Sequence, residues 1–454
     1  MKKFTWAIII VCLLSAVLFL IYGLEVKPVE SLIRPPEYSD EGGSVQLALE
    51  AEIGKIYFLK TPTQGENRSA FIYHDFDGDA KKEALVLYSE LQNPDSVTVS
   101  IFRQSENSWK RITSVSCPYE EVMQVDFADI NGNGIDDIII GYSIYGGEIT
   151  QHLFVYSVNS LNSADSSITV RYDSAYSKYS VIDVDTDGRY DLFVLNPADS
   201  ERKFGYKAGV ISFSEKEWET KAAIELDSAL RSASDINVDI SDNMARIYID
   251  GYTADGKMVT DMVSWNYRKK NLQRFVFRGK SMTSLTTRTK TAVCADINSD
   301  GVIEIPTDYV LPASKALGGA SAKKISLLCF VCVTDGKLVK TEYYFENAGN
   351  GYYYKIGKNQ IGSFTIVTSL DATSAKFYSV KQSDDGKTVA DKLLFEIRTV
   401  TDLETGRAPQ TYKRIGQNKG FYYYCRIYNQ GEADGLTISD IRKNMIFDLK
   451  GSTK

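Results

Sequence analysis

Asp75-Phe-Asp77-Gly-Asp79, Asp129-Ile-Asn131-Gly-Asn133, Asp183-Val-Asp185-Thr-Asp187 and Asp296-Ile-Asn298-Ser-Asp300 are four copies of one pattern, an acidic or amide side chain on every other residue. Four residues after each copy stands a further carboxylate, at Glu83, Asp137, Asp191 and Glu304. The first three copies start at 75, 129 and 183, a constant step of 54, and the fourth starts 113 residues after the third, room for one degenerate copy between. A fixed period of this length predicts a chain built from repeated supersecondary units.

The residue types predict calcium. This ion takes six to eight oxygens at about 2.3–2.6 Å in a flexible shell. Side chains at the first, third and fifth loop positions supply three ligands: Asp75, Asp77, Asp79; Asp129, Asn131, Asn133; Asp183, Asp185, Asp187; Asp296, Asn298, Asp300. The peptide oxygen of the seventh residue, Lys81, Ile135, Arg189 or Val302, adds a fourth, and the ninth-position carboxylate closes the shell. The sixth position requires a sharp turn with positive φ, which suits Gly134, Gly188 and Gly301, while Ala80 departs from it. An EF-hand begins alike but needs Glu at position twelve and flanking helices. Position twelve here is Val86, Ile140, Val194 and Thr307, so the EF-hand is excluded. Isolated Asx-rich loops are often plain solvated turns, but a turn has no use for a fixed ninth carboxylate. Counting carboxylates, four in the first and third copies, three in the one at Asp296 and two at Asp129, predicts tightest binding at the first and third and weakest at the second.

Around each loop the grammar repeats. An alternating strand such as Phe71–Tyr73 runs in, an aliphatic strand such as Ala84–Tyr88 leaves, and two more strands fill the unit. Four strands per repeat is the content of a propeller blade. The missing copy falls at Asn237–Asn243, which keeps the strand Ala245–Ile249 and scrambles the ligand spacing, so this unit is expected to lack a metal. The pattern resembles the FG-GAP/VCBS repeat family, the calcium-loop propellers similar to the integrin α-chain head. The resemblance covers roughly residues 69–346. It implies an all-β propeller carrying up to four Ca²⁺, used for adhesion, ligand binding or assembly, as in bacterial cell-surface proteins with such repeats.

The expected organisation is a membrane anchor or signal at 1–24, a juxtamembrane connector with a short helix at 25–54, a propeller of about five four-stranded blades at 55–346, and a small α+β domain at 347–454. Two further degenerate blades, giving seven, are the alternative to that last domain. Residues 55–60 are read as a strand that completes the last blade. Near the end, Ser439 is read as the cap of a helix burying Ile441, Met445 and Ile446. Phe4 to Leu24 is uncharged and long enough to span a bilayer, and Lys2 and Lys3 orient its start toward the cytoplasm. The same features suit a cleaved signal peptide. Both readings place the bulk outside the cytoplasm.

Composition narrows function by exclusion. A net charge of −7 disfavours nucleic acid as a partner. Two histidines, His74 and His152, leave little for zinc or Ser-His-Asp chemistry. Of six cysteines, Cys329 and Cys332 lie three apart in a strand-like run and so face opposite sides, which argues against a zinc or redox pair. No acid pair stands apart from the metal loops, so the leading expectation is a non-enzymatic platform for a protein or glycan. A polysaccharide hydrolase or lyase, with Tyr142–Tyr145, Tyr352–Tyr354 or Tyr422–Tyr424 lining the site, is the alternative. A third expectation is an envelope sensor or assembly factor, its C-terminal domain contacting a partner and the loop at Lys315–Lys324 a further contact site.

Overall fold

The computed structural model of the chain describes residues 41–449, apart from 106–107, 145–150, 160, 162–165, 198–204, 215, 242–243, 317–323, 335 and 402–409. The expected membrane segment, residues 25–40 of the connector, Tyr145 and the centre of the Lys315–Lys324 loop lie outside the described residues. Among the described residues no helix is long and apolar enough to cross a membrane. The chain divides into two compact units, Met1–Ala175 and Tyr176–Lys454.

The first unit opens with α1 (Glu41–Ile53), which stops at Gly54, where φ is +85° and the N–H bonds the Glu50 carbonyl at 3.0 Å. A residue without Cβ takes that conformation at no steric cost. The first sheet places β2 (Phe71–His74), β3 (Glu83–Glu90), β4 (Asn93–Ser105) and β5 (Ser108–Cys117) side by side in chain order. The strand expected at 55–60 does not complete the last sheet. As β1 (Tyr57–Leu59) it pairs with β3, Tyr57 opposite Glu90 and Leu59 opposite Tyr88. The reason is length: the four residues of β2 cover only Glu83–Val86, and β1 occupies the edge left open beyond them. Alternation along β3 directs Leu85 and Leu87 into a core shared with the second sheet, and Ala84, Val86 and Tyr88 toward Val45 and Leu49 of α1. The second sheet is β6 (Glu121–Ala128), β7 (Asp137–Ser143), β8 (Gln151–Asn159) and β9 (Ser167–Ala175).

The second unit repeats the arrangement. Its third sheet holds β10 (Lys178–Ile182), β11 (Asp191–Pro197), β12 (Tyr206–Ser214) and β13 (Glu217–Glu225), and its fourth β14 (Ser232–Ser241), β15 (Met244–Tyr252), β16 (Met258–Asn266) and β17 (Asn271–Arg274). A hairpin, β18 (Val276–Phe277) with β19 (Lys280–Ser281), and α2 (Met282–Thr286) lead to the fifth sheet. That sheet contains β20 (Ile305–Val310), β22 (Ser326–Thr334), β23 (Lys337–Asn347) and β24 (Tyr352–Ile356), with β30 (Met445–Ile446) on its outer edge. The sixth combines β21 (Lys315–Ala316), in parallel, with antiparallel β25 (Phe364–Thr368), β26 (Ser374–Gln382), β27 (Thr388–Thr401), β28 (Lys413–Asn418) and β29 (Phe421–Ile427). Val210 and Ile247 share a core between the third and fourth sheets, while Tyr248, on the opposite face of β15, joins the core of the fifth and sixth. The protein is all-β, its four-stranded antiparallel sheets are consistent with propeller-like blades, and among the described residues none closes on itself.

Past residue 346 the chain first returns to the fifth sheet as β24, and β21 from the preceding segment joins the sixth, so the two sheets exchange strands across that position. Short helices α3 (Asn429–Ala433) and α4 (Ile438–Lys443) follow. The cap of α4 is Thr437 rather than Ser439: its hydroxyl accepts from the Asp440 N–H at 3.2 Å and the Asp440 carboxylate accepts from the Thr437 N–H at 3.1 Å. Ile441 is buried as expected, but Met445 and Ile446 are strand, not helix, because they complete the edge beside Tyr353 and Tyr354.

Candidate metal centres

Strand register brings the ninth-position carboxylate back to the start of each loop. The residue before the first Asp pairs with the ninth in all four copies: His74 with Glu83, Ala128 with Asp137, Ile182 with Asp191, and Ala295 with Glu304. Eight residues therefore bulge from the end of a hairpin whose closing pair carries the carboxylate.

Inside the bulge one backbone pattern recurs. The first-position carboxylate accepts N–H groups from across the turn: Asp75 from Gly78 and Ala80, Asp129 from Asn133 and Gly134, Asp183 from Asp187 and Gly188, Asp296 from Asp300 and Gly301, at 2.8–3.1 Å. The fifth-position side chain accepts the N–H of the seventh residue, Lys81, Ile135, Arg189 or Val302, at 2.8–2.9 Å. Sixth positions are left-handed, including Ala80 at φ +65°. So are the fourth, Gly78, Gly132, Thr186 and Ser299. The second position is an apolar plug: Phe76, Ile130 and Val184 are buried, and Ile297 packs behind the fifth sheet.

The four ninth carboxylates are 1–2% exposed. Burial, which penalises the charged form, pushes all of them above the ordinary carboxylate range, Glu304 to about 7. At Glu83, Asp191 and Glu304 the N–H of the apolar plug partly offsets this, at 2.9, 3.2 and 3.0 Å. Asp75 is displaced the other way: the desolvation it feels is outweighed by the backbone N–H groups of Gly78, Ala80, Asp77 and Asp79.

Two loops gather carboxylates closely. One oxygen each from Asp75, Asp77 and Glu83 lies within 4.8 Å of the others, and the same holds for Asp183, Asp185 and Asp191. The donor set is all oxygen, which suits a hard divalent cation. Asp185 Oδ1 is shielded from solvent without a hydrogen-bond partner, as an oxygen reserved for an ion is. In the other two loops Asn131 and Asn298 take the third position, and their side-chain oxygens face inward, accepting from Asn133 and Asp300 N–H at 3.1 and 2.9 Å. The carboxylate clusters of the first and third loops can hold a metal ion. Among the described residues the fourth sheet has no such loop: Asp239 lies within β14, bonded to Tyr248 and Ser241 hydroxyls at 2.8 and 2.7 Å.

Several residues of these sites were not singled out from sequence. Arg103, Ser157 and Ser212 stand beside the ninth carboxylates on the third strand of their sheets and donate to Glu83, Asp137 and Asp191. Their signal was available, since they follow those carboxylates by 20, 20 and 21 residues. Lys221, on β13, reaches Asp185 at 2.6 Å and had no such offset to betray it.

Residues 75–140 match a family described as FG-GAP-like repeat. No curated protein matches the chain. Among solved structures, a hypothetical protein from Leishmania major is similar at 13% identity with a TM-score of 0.27, over 58% of this chain and 89% of that one. With its first two acidic loops at either end of the matched segment, the chain carries an FG-GAP-like repeat at residues 75–140.

Proposed function

We propose that this is an extracytoplasmic, membrane-tethered calcium-binding repeat protein whose successive sheets are blades of a β-propeller, acting as a binding, adhesion or assembly platform for a protein or glycan. The observation that carries the calcium reading is the recurrence of one loop geometry at four hairpin ends, each with a buried carboxylate that is costly to ionise alone. Calcium bound there supplies the compensating charge. Asp75, Asp77, Asp79 and Glu83 would hold it in the first loop, and the corresponding side chains in the others. The role is structural: the ion fixes each bulge, and the rigid bulges present a surface to the partner. Isothermal titration of the purified chain with calcium is expected to show uptake, and chelator is expected to lower the melting temperature and partner capture on a glycan array together. Absence of heat, or identical melting with and without chelator, would refute the reading.

A further inference from the structure

Every loop links its third position to its ninth through a hydrogen-bond donor or a cation, and the linking group changes with the third residue. Where that residue is Asn, its own amide serves. Asn131 Nδ2 lies 2.9 Å from both Asp137 oxygens, and Asn298 Nδ2 lies 2.9 Å from Glu304 Oε1. Asp has no donor to give. In the two loops with Asp at the third position, a cation arrives from another strand of the same sheet. Arg103 on β4 pairs with Asp77 and, at 3.1 Å, with Glu83. Lys221 on β13 lies 2.6 Å from Asp185, 3.5 Å from Asp187 and 3.7 Å from Asp191. Two unrelated strands thus deliver positive charge to the same pair of loop positions, because ionised carboxylates this close repel unless a counter-charge joins them.

The two cations are not equivalent. Arg103 is anchored, its guanidinium also donating to the Leu161 carbonyl at 3.2 Å. Lys221 is a compact ammonium on a flexible stem. It touches three carboxylates at once, as a bound ion does, and its side chain is 24% exposed, so a path to water is open to it.

We infer that the Lys221 ammonium competes with a divalent cation for the third loop, acting as a tethered occupant that weakens calcium uptake there below what four carboxylates imply. The inference rests on the calcium reading above and takes the third loop out of the top rank that carboxylate number gives it. Lys221 is then the residue that sets the calcium concentration at which this loop fills.

The test is a terbium titration of the full chain, read by luminescence sensitised through Trp265, whose ring centroid lies 5.9 Å from Lys221 Nζ, followed by displacement with calcium. Lys221→Met and Lys221→Gln are expected to raise the calcium affinity of this loop about tenfold, the effect of removing a like charge at this range. Lys221→Arg, which keeps the charge, is expected to stay within about threefold of the parent. A merely structural lysine predicts the opposite sign, since its loss would loosen the loop and weaken binding. Unchanged or weaker calcium binding in both neutral variants, with the parent still binding calcium, overturns the inference and leaves the calcium reading standing. No calcium or terbium uptake by any of the proteins overturns both.

Discussion

Arg288 is among the largest fully buried side chains of the described residues, and replacing it by Met should be among the most damaging single changes. It and Asp250 are both 0% exposed and pair at 2.8 Å. The guanidinium uses five N–H directions: Nε and Nη2 to the Ala292 carbonyl, Nη1 to Thr260 Oγ1 and the Thr286 carbonyl, and Nη2 to Asp250. Asp250 keeps the Thr260 hydroxyl and the Cys294 N–H, both at 2.6 Å, but loses the counter-charge that pairs with it. Breaking a buried pair by removing one partner costs about 3–5 kcal/mol, because the survivor is left charged in a low-dielectric site. At about 2–4 °C per kcal/mol for a unit of this size, the melting temperature should fall by roughly 6–20 °C. Met fills much of the space, so a cavity adds little. Asp250→Asn/Arg288→Met removes both charges and is expected to recover more than half of the loss. Calorimetry and urea titration of the parent, both single variants and the double variant close the cycle. A loss below about 1 kcal/mol for Arg288→Met, or strict additivity in the double variant, would refute the reasoning.

Two further outcomes concern the loops. Ala80 holds φ +65° at the position where the other loops have Gly. Ala80→Gly should therefore stabilise by about 0.5–1 kcal/mol, the left-handed strain relieved less the added freedom of the unfolded chain; urea midpoints measure it, and a destabilised variant would contradict it. Glu304, with an ordinary value of 4.5, is pushed to about 7 by burial and by the charges of Asp300, Asp296 and Glu342. A carboxyl that protonates more readily folded than unfolded stabilises the fold below its unfolded value, and that contribution is lost as pH rises through about 7. In chelator the parent should lose up to about 3 kcal/mol relative to Glu304→Gln between pH 4.5 and 7, and calcium should abolish the difference. Parallel pH profiles of parent and variant in chelator would show that Glu304 does not titrate in this way.

What sequence disclosed was set by how local the determinant is. Ligand spacing within nine residues is local, so the loops, their sixth-position turns and the strands leaving them could be read directly. The fourth unit was legible for the same reason, since its strands β14 and β15 keep the period while the ligand spacing is scrambled. Pairing partners were less accessible. Residues 57–59 have no feature that selects β3 over another open edge; the selection comes from the shortness of β2, which is visible only once register is known. Lys221 was hidden because it reaches its loop from another strand at no repeated offset from the ninth carboxylate, unlike Arg103, Ser157 and Ser212. The α4 cap failed on competition: Thr437 has Asp440 three residues on, completing a reciprocal box, and so displaces Ser439.

The same balance explains why the fourth sheet could dispense with its loop. Its buried carboxylates are met by the chain itself: Asp239 by Tyr248, Ser241 and the Ile303 N–H, Asp250 by Arg288, and Asp261 by Arg274 at 3.2 Å and the Asp227 N–H at 2.8 Å. A carboxylate removed from water requires donors or positive charge, and a guanidinium fixed by packing serves as well as an ion from solution. The difference lies in reversibility. Charge supplied by Arg288 is present whenever the chain is folded, whereas charge supplied by calcium, in the function proposed above, would vary with its concentration. On this argument chelation should loosen the hairpin ends at Asp75, Asp129, Asp183 and Asp296 and leave the paired residues of β14 and β15 protected. Amide hydrogen exchange would separate the two, and equal loss of protection at the four loops and along β14 and β15 would mean that the internal partners of the fourth sheet's carboxylates do not replace the ion.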